Sequence, residues 1–211
     1  MKKKIISIDG PAASGKGRIA KYISRKWKYT HLDSGILYRK LAYFLLKNKI
    51  DHKSLKQLKK IITKKRKITF RKSQILRKEE ISKIASEIAI HGFIRDYINK
   101  IQRNFVNSNN KNNNFVIDGR DIGSVVFKNS DLKLYIDVSE ENRAKRRYKQ
   151  LIDKDEKSIY RQILKDIKLR DKKDKQRKIS PLLIPNGAFI IDNNGKFKDT
   201  INQINILISK L

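Results

Sequence analysis

The 211-residue chain is long enough for one substantial domain with insertions, and it carries 52 basic against 21 acidic residues for a net charge of +31. It has no cysteine and 3 scattered histidines (His31, His52, His91), which excludes disulfides, thiolate nucleophiles and cysteine metal sites and argues against a histidine-built one. The basic start runs into an apolar stretch broken by Ser7 and Asp9, too short for a signal peptide, and nothing approaches a membrane span, so a soluble cytoplasmic protein is expected.

Ile5, Ile6 and Ile8 read as a short buried parallel strand. The strand runs into Gly10, Ser14, Gly15, Lys16 and Gly17 and then into a helix over 16–27, whose Ile19, Ala20, Ile23 and Trp27 share one face. Strand, glycine-rich turn and helix in that order, with the spacing Gly10-x-x-x-x-Gly15-Lys16, is the setting of a phosphate-binding loop. The glycines let the backbone curl so that several N–H groups face one anion, and the helix N-terminus adds its partial positive charge. Lys16 supplies a full charge for the terminal phosphates of a nucleotide. Gly17 stands where the usual pattern has a Ser or Thr as magnesium ligand, so a metal must be held by phosphate oxygens, waters and other side chains.

Leu32 ends a short extended piece, and Asp33-Ser34-Gly35 opens a helix over 36–47 with Ser34 as N-cap and Leu37, Leu41, Phe44 and Leu45 facing inward. Ser34, Tyr38 and Arg39 sit at its opening end, where polar side chains reach a ligand; Ser34 reads equally well as a structural cap. Residues 48–80 are Lys-rich and read as a peripheral insertion, with a short Ser54-capped helix to about Ile62 and short strands over 67–70 and 74–76. Two helices follow, over 81–90 and from Gly92 to about Phe105; the first carries Ser86 off its apolar stripe, the second Arg95 and Arg103 on one face. Residues 107–114 are a polar, low-complexity loop.

Phe115, Val116 and Ile117 form a buried-type strand ending in Asp118-Gly119-Arg120-Asp121, and acid at the carboxyl end of such a strand is where an open parallel sheet binds ligands. A further strand spans 132–138, and a helix over 140–149 carries Arg143, Arg146 and Arg147. The helix over 158–170 places Ile159, Ile163 and Ile167 on one face; if it continues, Arg170, Asp174 and Arg177 project together until Ser180-Pro181 stops it. A last strand at 188–191 and an amphipathic helix using Phe197, Ile201, Ile204 and Ile208 complete an alternation that implies an α/β, three-layer parallel-sheet fold, with residues near 35–110 and 150–175 as excursions over the carboxyl edge of the strands.

A phosphate loop alone does not separate a GTPase from an ATPase or a small-molecule kinase, but no Asn-Lys-x-Asp guanine motif is present. Arg39, Arg95, Arg120, Arg143, Arg147, Arg170 and Arg177 remain arginine in a lysine-dominated chain, which suggests planar, bidentate recognition of phosphate or of a base edge. Two nucleotides brought together repel through their phosphates, and arginines offset this. The lysine excess accompanies abundant Ile and Asn, all with A/T-rich codons, and is spread from end to end, so it reads as compositional rather than as a nucleic-acid or membrane surface. A P-loop kinase for another small acceptor, such as AMP or shikimate, and a basic RNA- or membrane-binding protein with a vestigial loop are the competing readings.

Four segments, I-D-G-P-A-A-S-G-K-G (8–17), L-D-S-G-I-L-Y-R (32–39), I-D-G-R-D-I-G-S-V-V-F (117–127) and L-R-D-K-K-D-K-Q-R-K-I-S-P-L (169–182), resemble the successive signatures of bacterial cytidylate kinase, in order and over nearly the whole chain. The resemblance implies ATP-dependent phosphorylation of CMP, and usually dCMP, on a P-loop NTPase core (about 1–33, 110–148 and 178–211) with an NMP-binding insertion (about 34–109) and a LID (about 149–177). It implies that Gly10, Pro11, Ala12, Ala13, Ser14, Gly15, Lys16, Gly17 and Arg18 take ATP, and that Ser34, Tyr38, Arg39, Ser86, Arg95, Arg120, Asp121, Arg170, Asp174 and Arg177 take the monophosphate. Ser86, Arg95 and Asp121 would read the cytosine edge, Arg170 and Asp174 would lie towards the pentose, and Arg39, Arg120 and Arg177 would hold the phosphate, with Lys16, Arg120, Arg170 and Arg177 serving the transfer itself. Mg²⁺ would bridge the ATP phosphates, with Asp118 reaching it through water and no residue assigned as a direct ligand. A monomer with no specific nucleic-acid or membrane partner is expected. Arg18 departs from the family's Thr, Lys172, Lys173 and Lys175 lie in a segment where the family favours Arg, and the segment around 63–80 is short.

Overall fold

The computed structural model describes residues 3–63, 74–109, 113–153 and 158–211. Its elements follow one another as β1 (Lys4–Asp9), α1 (Lys16–Trp27), β2 (Thr30–Asp33), α2 (Ser34–Lys47), α3 (Leu55–Thr63), a 3-10 turn (Gln74–Arg77), α4 (Glu79–Ile88), α5 (Gly92–Asn107), β3 (Asn114–Asp118), a π-helical turn (Ile122–Val126), β4 (Leu132–Asp137), α6 (Glu140–Ile152), α7 (Tyr160–Gln176), β5 (Phe189–Asp192) and α8 (Phe197–Ile208). They divide into two compact units, Met1–Leu32 with Asn110–Leu211, and Asp33–Asn109.

In the first unit the strands order as β2-β3-β1-β4-β5, with β1 in the middle and helices flanking the sheet in three layers. β1 pairs in parallel with β3 (Ile6 with Val116) and with β4 (Ile8 with Leu134), and β4 pairs in parallel with β5. Ile6, Ser7, Ile8 and Asp9 are all fully buried, as a central strand covered on both faces requires. Burying Ile6 and Ile8 contributes about 1.5–3 kcal/mol each. Ile19, Ala20 and Ile23 of α1 and Ile204 and Ile208 of α8 close over the sheet, with Trp27 and Phe197 packed at the rim. The chain leaves β1 towards β2 on one side and later crosses to β4 on the other. That reversal puts a crevice at the carboxyl end of β1.

The second unit is helical. Leu37, Leu41 and Leu45 of α2 pack with Ile81, Ile84 and Ile88 of α4 and with Ile94 and Ile98 of α5. Leu58 and Leu76 are also buried in this cluster, so the stretch expected as peripheral supplies core residues. The strand expected at 67–70 lies outside the described residues. The one expected at 74–76 is instead the 3-10 turn, which lets Leu76 reach that core.

Boundaries differ in three instructive places. α2 starts at Ser34 and its cap is Asp33, whose Oδ1 accepts the Ile36 N–H at 3.1 Å, so Ser34 is inside the helix rather than before it. The helix expected to 90 stops at Ile88, leaving Ile90 exposed. α7 begins after Ile159, which caps it and is 71 % exposed rather than part of the buried face. Ile163 and Ile167 do bury, against Ala144. α7 then runs on to Gln176 and stops well before Pro181, because Arg177 turns to extended backbone and Ser180 takes a φ of 50°.

Candidate active site

The loop from β1 to α1 is shaped by backbone that side chains would obstruct. Gly10 has φ 148°, and a Cβ there would lie 2.6 Å from the Ile136 carbonyl oxygen. Gly15 caps α1 with φ 90°, and a Cβ there would lie 2.7 Å from the Asn193 side-chain nitrogen. Even Ala13 is left-handed, at φ 58°. Asn193 clips the loop: its Nδ2 donates to the Ser14 carbonyl at 2.8 Å while its Oδ1 accepts from Thr200 Oγ1 at 2.8 Å. Lys16 is buried inside the curl and donates to the Pro11 carbonyl at 2.6 Å and to Ser14 Oγ at 3.0 Å. Burial first, and then the charge of Arg120, push its ammonium well below the ordinary lysine value; Asp118, Asp9 and Asp174 offset this in part. Gly17 is half-buried, and the exposed Arg18 lays its guanidinium 3.6 Å over the Phe197 ring.

Two carboxylates close the strand ends beside this loop. Asp9 is fully buried, and its two oxygens accept the N–H groups of Ile122 and Gly123, each at 2.7 Å, pinning the π-helical turn. Burial raises its carboxyl from 3.8 to about 6, against the pull of those two N–H groups. Asp118 pairs with His31 Nε2 at 2.6 Å and keeps its other oxygen 3.8 Å from where a Gly17 Cβ would stand.

A cationic cluster completes the unit. Asp174 of α7 is buried and takes Arg120 Nε at 3.1 Å on one oxygen and Arg177 Nη1 at 3.3 Å on the other. Burial raises the Asp174 carboxyl, but Arg120, Arg177 and Arg170 more than compensate, and it ends below the usual carboxylate value. Arg177 is steadied by its Nε, which donates to the Ser180 carbonyl at 2.5 Å. Asp121 is buried at the head of the π-helical turn. Lys172, Lys173 and Lys175 all point to solvent.

In the helical unit Arg39 Nη2 donates to Asp33 Oδ2 at 2.9 Å, beneath Gly35, where a Cβ would come within 2.9 Å of the guanidinium. Arg95 is 2 % exposed; it donates to the Ala89 carbonyl at 3.0 Å and lies 5.7 Å from the Tyr38 ring. Ser34 is buried, Ser86 is half-buried on α4, and Arg103 is exposed. Thus the structure joins Lys16 with the loop, Arg120 with Asp174 and Arg177, and Arg95 with Tyr38. The sequence reading missed Asp9, His31 and Asn193 as supporting groups; for Asp9 the signal was there, because it ends an apolar strand as Asp118 does.

The sequence profile described as Cytidylate kinase matches residues 6–210. The chain belongs to the cytidylate kinase family. Curated cytidylate kinases from Rickettsia bellii and Fusobacterium nucleatum are similar to it: the first is 40 % identical over 90 % of this chain and 85 % of its own, the second 36 % identical over 98 % of each. Among solved structures, a Thermus thermophilus protein aligns over 100 % of this chain and 99 % of its own with TM-score 0.54 at 15 % identity, a likeness of fold. A Eubacterium ventriosum protein gives TM-score 0.52 at 14 % identity. No helix among the described residues is long and apolar enough to cross a membrane.

Among the described residues no cluster of three or more His, Cys, Asp or Glu could hold a metal ion unaided. Asp118 Oδ2 faces Gly17, a position with no side-chain hydroxyl.

Proposed function

We infer that the chain transfers the γ-phosphoryl group of ATP to CMP, giving CDP and ADP, with dCMP as a second acceptor. The observation that carries this is the joining, in one structural unit of a cytidylate kinase, of a pre-curled loop around Lys16 and an arginine pair on Asp174.

The loop from Gly10 to Arg18 binds the donor through backbone N–H groups and Lys16. Mg²⁺, held by phosphate oxygens with Asp118 acting through water, would supply charge neutralisation. Arg120, Arg170 and Arg177 hold the acceptor phosphate and the transferring group against their mutual repulsion. Transfer needs no covalent catalyst: an acceptor phosphate oxygen attacks the γ-phosphorus in line, and the bond to the β–γ bridging oxygen breaks. Asp174 and Arg170 serve the pentose, Ser34, Tyr38 and Arg39 the acceptor's phosphate end, and Ser86, Arg95 and Asp121 the cytosine edge, where a carboxylate accepts from the amino group and a guanidinium donates to the carbonyl. In family terms, 34–109 is the NMP-binding part and 149–177 the LID, and we propose a cytoplasmic monomer.

The test is turnover of CMP, dCMP, AMP, GMP, UMP and shikimate with MgATP. CMP and dCMP should be converted fastest; equal rates for the four ribonucleotides, or preference for AMP or shikimate, overturn the reading. Asp121→Ala should lose cytosine selectivity before it loses overall turnover.

A further inference from the structure

Arg143 ties together three segments of the first unit. It is 2 % exposed, and its guanidinium is turned wholly towards protein. Nε donates to the Val138 carbonyl at 3.0 Å, Nη1 to the Ala12 carbonyl at 3.1 Å and Nη2 to Asp171 Oδ2 at 2.5 Å. Its three partners belong to the residue that follows β4, the donor loop and α7.

The fork of a guanidinium is rigid and planar, so its donors cannot be re-aimed one at a time. A shift of the Ala12 carbonyl therefore either breaks its bond or rotates the plane that also holds Asp171. Arg143 and Asp171 are both nearly fully buried, so a lost partner is not replaced by solvent at little cost. Ala12 lies in the middle of the donor loop between Gly10 and Gly15, and is itself buried. Asp171 is 3 % exposed, follows Arg170 directly and lies on α7 one turn before Asp174. Its second oxygen, Oδ1, accepts no hydrogen bond among the described residues, so Arg143 is the tie that fixes this carboxylate. The loop that takes one nucleotide and the helix that carries contacts for the other are thus joined through one side chain.

We propose that Arg143 is a positioning residue that couples the two substrate sites: the bridge Ala12–Arg143–Asp171 makes donor binding at the loop and acceptor binding at α7 favour one another. This rests on the assignment of the loop to ATP and of α7 to CMP. Coupling of this kind is reciprocal, so it is measurable from either side.

The experiment titrates a β,γ-imido analogue of ATP, with Mg²⁺, into the full chain with and without saturating CMP. In the wild type CMP tightens the analogue by a factor within the about 5- to 150-fold range of such couplings. In Asp171→Asn and Arg143→Lys the factor falls to about one, while CMP alone binds nearly as before, and Asp171→Glu recovers part of it. Hydrogen exchange gives a readout without any variant: CMP alone should slow the amides of residues 12–17 in the wild type. An undiminished factor in the folded variants, or loop amides indifferent to CMP, overturns the bridge. Should CMP fail to bind the wild type at all, the acceptor assignment falls instead, and the two failures are told apart in the same titration.

Discussion

For the proposed task of holding anions, the donor loop and the arginine cluster are built by opposite means. The loop is written in one contiguous stretch and works through backbone: Gly10 and Gly15 adopt conformations and approaches closed to other residues, and Lys16 is buried within the curl. The cluster is assembled from residues far apart in the chain and works through side chains. Arg120 and Arg177 are both engaged by Asp174, an internal carboxylate. A pre-curled backbone loses little entropy on binding, whereas long side chains must be held in place by a partner. On the proposed function, the loop would supply affinity fixed in advance, and the cluster charge that a substrate draws away from Asp174.

Lys16→Ala should break the contrast most severely. With the loop backbone intact but its buried ammonium gone, kcat should fall about a thousandfold, roughly 4 kcal/mol, as when a preorganised donor to a developing anion is lost. Steady-state rates with CMP and MgATP, alongside a thermal melt showing a folded protein, check this.

The next effect concerns Asp9, which anchors the turn between the two regions. Burial pushes its folded carboxyl up from the ordinary 3.8 to about 6, so the folded state binds the proton more tightly than the unfolded state does. Stability from this group is therefore greatest below about 3.8 and is lost as pH rises through about 6, by at most about 3 kcal/mol. Asp174 has the opposite sign: its carboxyl is depressed, so its contribution is present above the usual carboxylate range and fades as pH falls through the folded value. Denaturant unfolding of Asp9→Asn and wild type from pH 4 to 7 should give a difference curve that removes the downward slope with rising pH; an unchanged slope would remove Asp9 as its source.

Arg177→Ala takes one of the two guanidinium contacts from Asp174 and should lower kcat/KM for CMP by about a hundredfold, roughly 2.7 kcal/mol. Its KM for ATP should change much less, which separates the cluster from the loop. Arg18→Thr should be mildest. It removes the stack on Phe197, worth about 0.5–1 kcal/mol, and should move the melting temperature by a few degrees with turnover within about threefold.

What could be read beforehand follows the same division. The extents of β1 and α1, the glycine loop and the role of Lys16 depend on neighbours in sequence, and period and spacing reveal them. The parallel sheet followed from alternating apolar runs. Spacing put Asp174 and Arg177 together, but Arg120 joined them only through family signatures, because nothing local says which distant basic residue meets Asp174. Asn193 and Arg143 were hidden for a stronger reason. An Asn in a polar turn and an Arg on a charged helix have ordinary local surroundings, and their roles arise only when distant backbone carbonyls fold against them. The π-helical turn at Ile122–Val126 was missed because Asp9, remote in sequence, holds its N–H groups.

One contact joins opposite ends of the polypeptide in time as well as in space. Ser14 leaves the ribosome early, but the amide that fastens it belongs to Asn193, 179 positions later. A nascent chain therefore displays the complete glycine motif long before that motif is secured, and a fragment ending before β5 would carry the signature without the clip. Nucleotide capture should consequently switch on late in synthesis, when the closing strand docks.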